Sequence, residues 1–150
     1  MINLTLLTGP LGSGITSAKY IFEELGYNIV HNPPVESIDS LLDIFLSEKY
    51  QNVKTCIIVP VKEAKEVISL IRSNQNINFT FLLLNANKKE LMKRYKVSRH
   101  IHPFMISRNM SLESSIEEDI KDVSEVQSEA DIHIDTSSLS IKQLRQLLLF

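Results

Sequence analysis

Cysteine is nearly missing from this chain of 150 residues: Cys56 stands alone, so no intrachain disulfide framework exists. It sits in the apolar run Cys56-Ile57-Ile58-Val59 and reads as a small core hydrophobe rather than a redox or catalytic thiol. Long apolar runs are also lacking, since none approaches the ~20 residues that a helix needs to span a bilayer. The N-terminus has no charged segment followed by an apolar stretch and a cleavage site, so a soluble, cytoplasmic protein is expected. Positive charge is not in excess either. Sixteen Lys and Arg face eighteen Asp and Glu, for a net charge of -2, which leaves none of the basic footprint that nucleic-acid binding leans on. Glycine is scarce, with four in all, yet three of them crowd into Gly9-Pro10-Leu11-Gly12-Ser13-Gly14.

That crowding marks the most informative stretch. Gly9-Pro10-Leu11-Gly12-Ser13-Gly14-Ile15-Thr16 has the spacing of a phosphate-binding P-loop, G-x-x-x-x-G-K-[ST], with Ile15 where the pattern has lysine. In such a loop the glycines let backbone N–H groups curl around an anion and the following helix adds its dipole. The lysine reaches the outer phosphates and the hydroxyl, here Thr16, binds magnesium. The context fits the motif. Ile2, Leu4, Leu6 and Leu7 form a short buried-strand run before the loop, and Ala18, Ile21, Phe22 and Leu25 recur at helical spacing after it. A glycine-rich turn without a ligand is the competing reading.

Further along, strands and helices alternate. Tyr27 to Val30 reads as a second strand, followed after Asn32-Pro33-Pro34 by a helix with the face Ile38, Leu41, Leu42 and Phe45. Val53 to Val59 is a third strand, Ala64, Val67, Ile68 and Ile71 mark a helix, and Phe79 to Leu84 is a fourth strand apolar enough to be buried on both faces. A basic helix carries Leu91, Met92 and Tyr95, and from Lys96 to Met110 the period is lost, which predicts a surface excursion. Leu112, Ile116, Ile120 and Val123 restore helical spacing, Ile132-His133-Ile134 alternates as a fifth strand, and Ser140 with Gln143 forms a capping box for a last helix. The pattern predicts one domain over 1–150, a P-loop NTPase-like three-layer α/β/α fold on a mainly parallel five-stranded sheet.

With those pieces placed, the chain resembles the nucleotide-binding domain of the RapZ/YvcJ family, the RNase adapter family of P-loop proteins. Besides the loop, the resemblance rests on Glu24-Leu25-Gly26-Tyr27 leading into Val30-His31-Asn32-Pro33-Pro34, and on Lys93-Arg94-Tyr95 with Ser98-Arg99 and His102-Pro103. Ser111-Leu112-Glu113-Ser114 and Ile134-Asp135-Thr136-Ser137 complete it. It implies a domain that binds and hydrolyses ATP or GTP in a regulatory setting, joined in the family to a second, C-terminal domain for RNA or metabolite binding. No counterpart of that second domain is expected in these residues, so RNA binding is not carried over and the partner is expected to be another protein. The departures fall on the chemistry. Ile15 replaces the lysine, Pro60-Val61-Lys62 stands in place of the family's Asp-x-Arg-type motif, His31 replaces an aspartate, and Asn85 replaces an acidic residue.

Phosphoryl transfer depends on positioning and charge neutralisation, so losing the lysine and a magnesium-organising carboxylate points to a binding or regulatory module with weakened or lost hydrolysis. Binding of ATP or GTP, with or without magnesium, is expected at about 10–100-fold below an intact site, since backbone N–H groups remain. Lys19, Lys62, Arg94 and Arg99 are candidate phosphate contacts, Asp135, Thr136 and Ser137 candidate base or ribose contacts, and Thr16 the candidate magnesium ligand. No catalytic residue is assigned, and His100 with His102 makes a poor metal site. Three rivals stay open: an active ATPase or GTPase with a non-standard loop, a small-molecule kinase, and a ligand-free interaction scaffold.

Overall fold

The computed structural model describes residues 1–98 and 102–150. Five strands, β1 (Ile2–Thr8), β2 (Asn28–His31), β3 (Lys54–Ile58), β4 (Ile77–Asn85) and β5 (Ile132–Asp135), form one all-parallel sheet in the order β2-β3-β1-β4-β5. The P-loop strand β1 lies at the centre, with Leu6 opposite both Ile57 and Phe81. Flanking are α1 (Ile15–Glu24), α2 (Ile38–Phe45), α3 (Val61–Arg72), α4 (Lys88–Ser98), α5 (Pro103–Ser107), α6 (Leu112–Val126) and α7 (Ile141–Leu147).

Period-two alternation in β1 explains the layering. Ile2, Leu4 and Leu6 pack with Ile38 and Leu42 of α2, Val67, Ile68 and Ile71 of α3, and Val123 of α6. Leu7 turns to the opposite face, where Ala18 and Phe22 of α1 meet Leu82, Leu84 and Leu144 of α7. A smaller cluster of Leu91, Tyr95 and Ile116 joins α4 to α6. Strand extents differ little from the sequence expectation, with β2 displaced to Asn28–His31 and β4 lengthened to Ile77–Asn85.

The expected surface excursion is a correction. Its beginning, Lys96 to Ser98, belongs to α4, and a further turn, α5, spans Pro103–Ser107; His102 is 2% exposed and Phe104 is buried. The reason is tertiary: the His102 ring packs on Tyr95 and Phe104, at centroid distances of 5.8 and 4.9 Å. Arg99 and His100 lie outside the described residues.

Two predictions concern this framework. The Ser140 hydroxyl accepts the Gln143 N–H at 3.1 Å while the Gln143 side chain accepts the Ser140 N–H at 2.8 Å, the capping box anticipated for α7. Ser140→Ala is expected to cost about 1 kcal/mol. In a thermal melt that corresponds to a fall of roughly 3 °C for a domain of this size. Cys56 is buried in the α1 face and its thiol is pushed up to about 12 by desolvation, so the reactive thiolate is suppressed. A thiol-specific disulfide reagent is therefore expected to leave the native protein unlabelled and to react within minutes in denaturant. Rapid labelling of the folded chain would contradict this burial.

Candidate functional site

Where β1 ends, Thr8 fastens the loop's entrance, its hydroxyl donating to the Val59 carbonyl at 2.7 Å just past β3. The next residue has to be glycine: a Cβ on Gly9 would lie 2.3 Å from the Leu84 carbonyl oxygen, a backbone atom of β4. Gly12 and Gly14 take left-handed φ values of 91° and 106° that side chains disfavour. Ser13 is fully buried between them, and both its N–H and its hydroxyl turn back to the Pro10 carbonyl.

A second set of bonds closes the loop against β5 and α4. The Thr136 hydroxyl lies 2.6 Å from the Ser13 carbonyl and 3.1 Å from that of Asn85; having one hydrogen, it donates to the closer acceptor. Arg94 of α4 reaches over the loop. Its Nη1 donates to the Gly12 carbonyl at 2.8 Å and to the Thr136 hydroxyl at 3.1 Å, its Nη2 to the Thr136 carbonyl at 2.6 Å, and its Nε to Glu90 at 3.2 Å. These bonds tie the loop to α4 and to the turn after β5.

These elements border a cleft of about 610 Å³. Leu11, Gly12, Gly14, Ile15 and Thr16 line it from the loop, Arg94 and Tyr95 from α4, and Thr136, Ser140 and Ile141 from the β5–α7 side. Gly9, Pro10 and Ser13 do not line it and serve as its support. The helix α1 begins at Ile15 with no side-chain cap and no acidic residue in its first turn, so its leading N–H groups are left for an anion. Ile15 is partly buried against the α1-face core, where a lysine would carry charge into the cleft.

Two candidate cations are placed elsewhere. The Lys19 ammonium stands 5.7 Å from the Tyr20 ring centroid and that of Lys62 lies 5.7 Å from the Phe104 ring, and neither residue lines the cleft. Arg99 lies outside the described residues. Asp135 and Ser137 also fall outside the lining: the Ser137 N–H and hydroxyl donate to Asp135 at 2.9 and 2.6 Å, which holds the carboxyl below its usual range and spends both groups on the turn. Thr136, between them, is buried and faces the loop.

Of the opposite wall, the sequence had pointed only to His31. Asn32 and Pro103 line the cleft, as does His31 at the end of β2. Behind Tyr95 lies a buried pair: His102 Nε2 and Asp119 Oδ2 are 2.6 Å apart, with Asp119 6% exposed on α6. The other ring nitrogen, Nδ1, accepts the Phe104 N–H at 3.1 Å, so the proton is on Nε2 and is donated to the carboxylate. Burial and the charge of Asp119 push the Tyr95 phenol well above its ordinary value. The sequence offered only His102-Pro103, a residue in N-cap position before a proline-started turn, with nothing to point to Asp119.

The donor set does not suit a protein-held magnesium ion. Among the described residues no aspartate or glutamate lines the cleft, and no group of three or more His, Cys, Asp or Glu is close enough to hold a metal. Pro60 follows β3 where the resemblance implies a carboxylate, which leaves the Thr16 hydroxyl without an anionic partner. No helix among the described residues is long and apolar enough to cross a membrane.

Comparison with known proteins places this geometry. The chain is 32% identical over 149 residues to a nucleotide-binding protein of Thermotoga sp. (strain RQ2), covering 99% of this chain and 53% of that protein. It is 33% identical over 153 residues to a nucleotide-binding protein of Aeromonas hydrophila, covering 98% and 52%. The chain therefore spans about half the length of the curated relatives it matches. Among solved structures it resembles a sugar kinase from Janibacter (TM-score 0.69, 16% identity, 99% of this chain and 93% of that one). It also resembles shikimate kinase from Acinetobacter baumannii bound to shikimate (TM-score 0.64, 13% identity, 99% and 92%). At such identities the likeness is one of fold, a P-loop kinase-like α/β sheet. The model of the RapZ-like N-terminal domain matches residues 2–149, and with relatives above 30% identity over nearly its whole length the chain belongs to that family.

Proposed function

We propose that residues 1–150 act as a single nucleotide-binding module, taking ATP, GTP or a related nucleotide in the cleft, with hydrolysis weakened or lost. The observation that carries this reading is the pairing of a fully shaped P-loop with Ile15 at its lysine position. Gly9 is fitted against Leu84 and Gly12 and Gly14 hold left-handed turns, which preserves the anion cradle. The relatives are named nucleotide-binding proteins, which supports the ligand class. Catalysis asks for more than a cradle. Without the lysine, and with no carboxylate along the described lining to organise magnesium, the charge of a phosphoryl-transfer transition state goes largely unmatched.

A module that binds without turning over is suited to a regulatory role, signalling occupancy to a protein partner in the cytoplasm. A kinase reading draws on the fold of the structural neighbours, but the described lining offers no carboxylate to take a proton from an acceptor hydroxyl. Calorimetric titration with ATP and GTP, alongside a phosphate-release assay, separates the readings. Saturable binding with phosphate release at the buffer rate is expected. Magnesium-dependent release that Thr16→Ala abolishes would establish an active ATPase or GTPase instead.

A further inference from the structure

We propose that the cleft is built for a nucleoside diphosphate held without magnesium, and that the third phosphate of a triphosphate adds nothing to its affinity. This rests on the reading that the cleft binds nucleotide, and goes further by asking how much phosphate charge the side chains around it match.

Phosphate recognition by such a loop is divided. Backbone N–H groups take the α- and β-phosphates, while the lysine and the magnesium ion serve the β- and γ-phosphates. The first part is intact here, because Gly12 and Gly14 keep their left-handed turns and α1 presents uncapped N–H groups at Ile15. The second part is missing in both halves. Ile15 supplies no charge, and the absence of carboxylates along the described lining removes the anchor for a metal bridging the outer phosphates.

Arg94 is the obvious replacement, and the geometry points away from it. A guanidinium has five N–H donors. Four are already engaged: both on Nη1, with Gly12 and the Thr136 hydroxyl, one on Nη2 with the Thr136 carbonyl, and that on Nε with Glu90. One donor remains, and the neighbouring Glu90 carboxylate offsets the charge behind it. Releasing Arg94 to follow an outer phosphate would strip the Gly12 carbonyl of this bond, leave the Thr136 carbonyl with the Leu139 N–H alone, and loosen the loop that binds the inner phosphates. The ammonium groups of Lys19 and Lys62 stand over Tyr20 and Phe104, off the cleft lining. Among the described lining residues His31 and Arg94 alone are able to carry positive charge. Extending a diphosphate to a triphosphate moves the doubly charged terminus outward and adds about one negative charge at neutral pH. Among the described lining residues there is little to set against it.

The test is titration of the full chain with ADP, ATP, GDP and GTP, each in excess magnesium and again in a chelator. In both media the diphosphate of the preferred base is expected to bind at least as tightly as its triphosphate. Chelation is expected to change the diphosphate Kd by less than about threefold. If magnesium–ATP or magnesium–GTP binds tenfold or more tightly than its diphosphate, and chelation removes that advantage, the inference is overturned while the nucleotide reading stands. If none of the four nucleotides binds in either medium, the nucleotide reading fails and the inference with it.

Discussion

Replacing Asp119 with alanine is expected to lower folding stability by about 3 kcal/mol, a large share of the 5–15 kcal/mol typical of a domain. The carboxylate is buried at 6% exposure and accepts the Nε2 proton of a histidine that is itself 2% exposed. Truncation leaves that N–H buried with no acceptor, and the orphaned group costs more than the hydrogen bond contributed. The loss also spreads, because His102 caps α5 through Nδ1 and stacks between Tyr95 of α4 and Phe104. Three elements therefore meet at the His102 ring: α4 through Tyr95, α5 through Phe104 and α6 through Asp119. Asp119→Asn retains an acceptor oxygen and should cost roughly 1 kcal/mol, separating the hydrogen bond from the charge. Urea unfolding followed by Cys56 labelling measures both variants on one scale. A change below about 0.5 kcal/mol for Asp119→Ala would mean that the pair does not hold α5 in place.

The same pair shows where the sequence stopped being legible. The central strands β1, β3 and β4 were readable because a parallel strand buried on both faces has to be apolar, as Leu82-Leu83-Leu84 and Cys56-Ile57-Ile58 announce locally, while the edge strand β5 showed as the alternation Ile132-His133-Ile134. The P-loop was readable because the backbone turns it needs restrict the residue type, as Gly9 against Leu84 demonstrates. His102 gave no comparable sign: its partner lies seventeen positions away on α6, and a buried pair of polar side chains looks in sequence like two surface residues. Arg94 was read as a candidate phosphate contact. That its donors are spent on Gly12 and Thr136 follows only from bringing α4 and the β5–α7 turn together over the loop. Asp135 and Ser137 read equally well as a ligand edge or as a turn. The hydrogen bonds between them make the turn.

Ile15→Lys is expected to raise ATP affinity by about 10–100-fold and to shift preference toward the triphosphate. The position is the first residue of α1 and lines the cleft, so a lysine stem fits where isoleucine packs and its ammonium extends toward an outer phosphate. Without ligand the change works against the fold, because a cation at a helix N-terminus opposes the dipole by about 0.3–1 kcal/mol. The unliganded variant should thus melt slightly below the wild type and gain more from ATP than the wild type does. Turnover is not expected to return. Lysine neutralises charge on the phosphate, but Pro60 still offers no carboxylate for magnesium, and transfer needs both in register. A folded I15K protein with unchanged ATP affinity would place the nucleotide away from the loop. Enhanced affinity with phosphate release still at background would locate the loss of chemistry in the missing metal anchor, since the cradle and the lysine would then both be present.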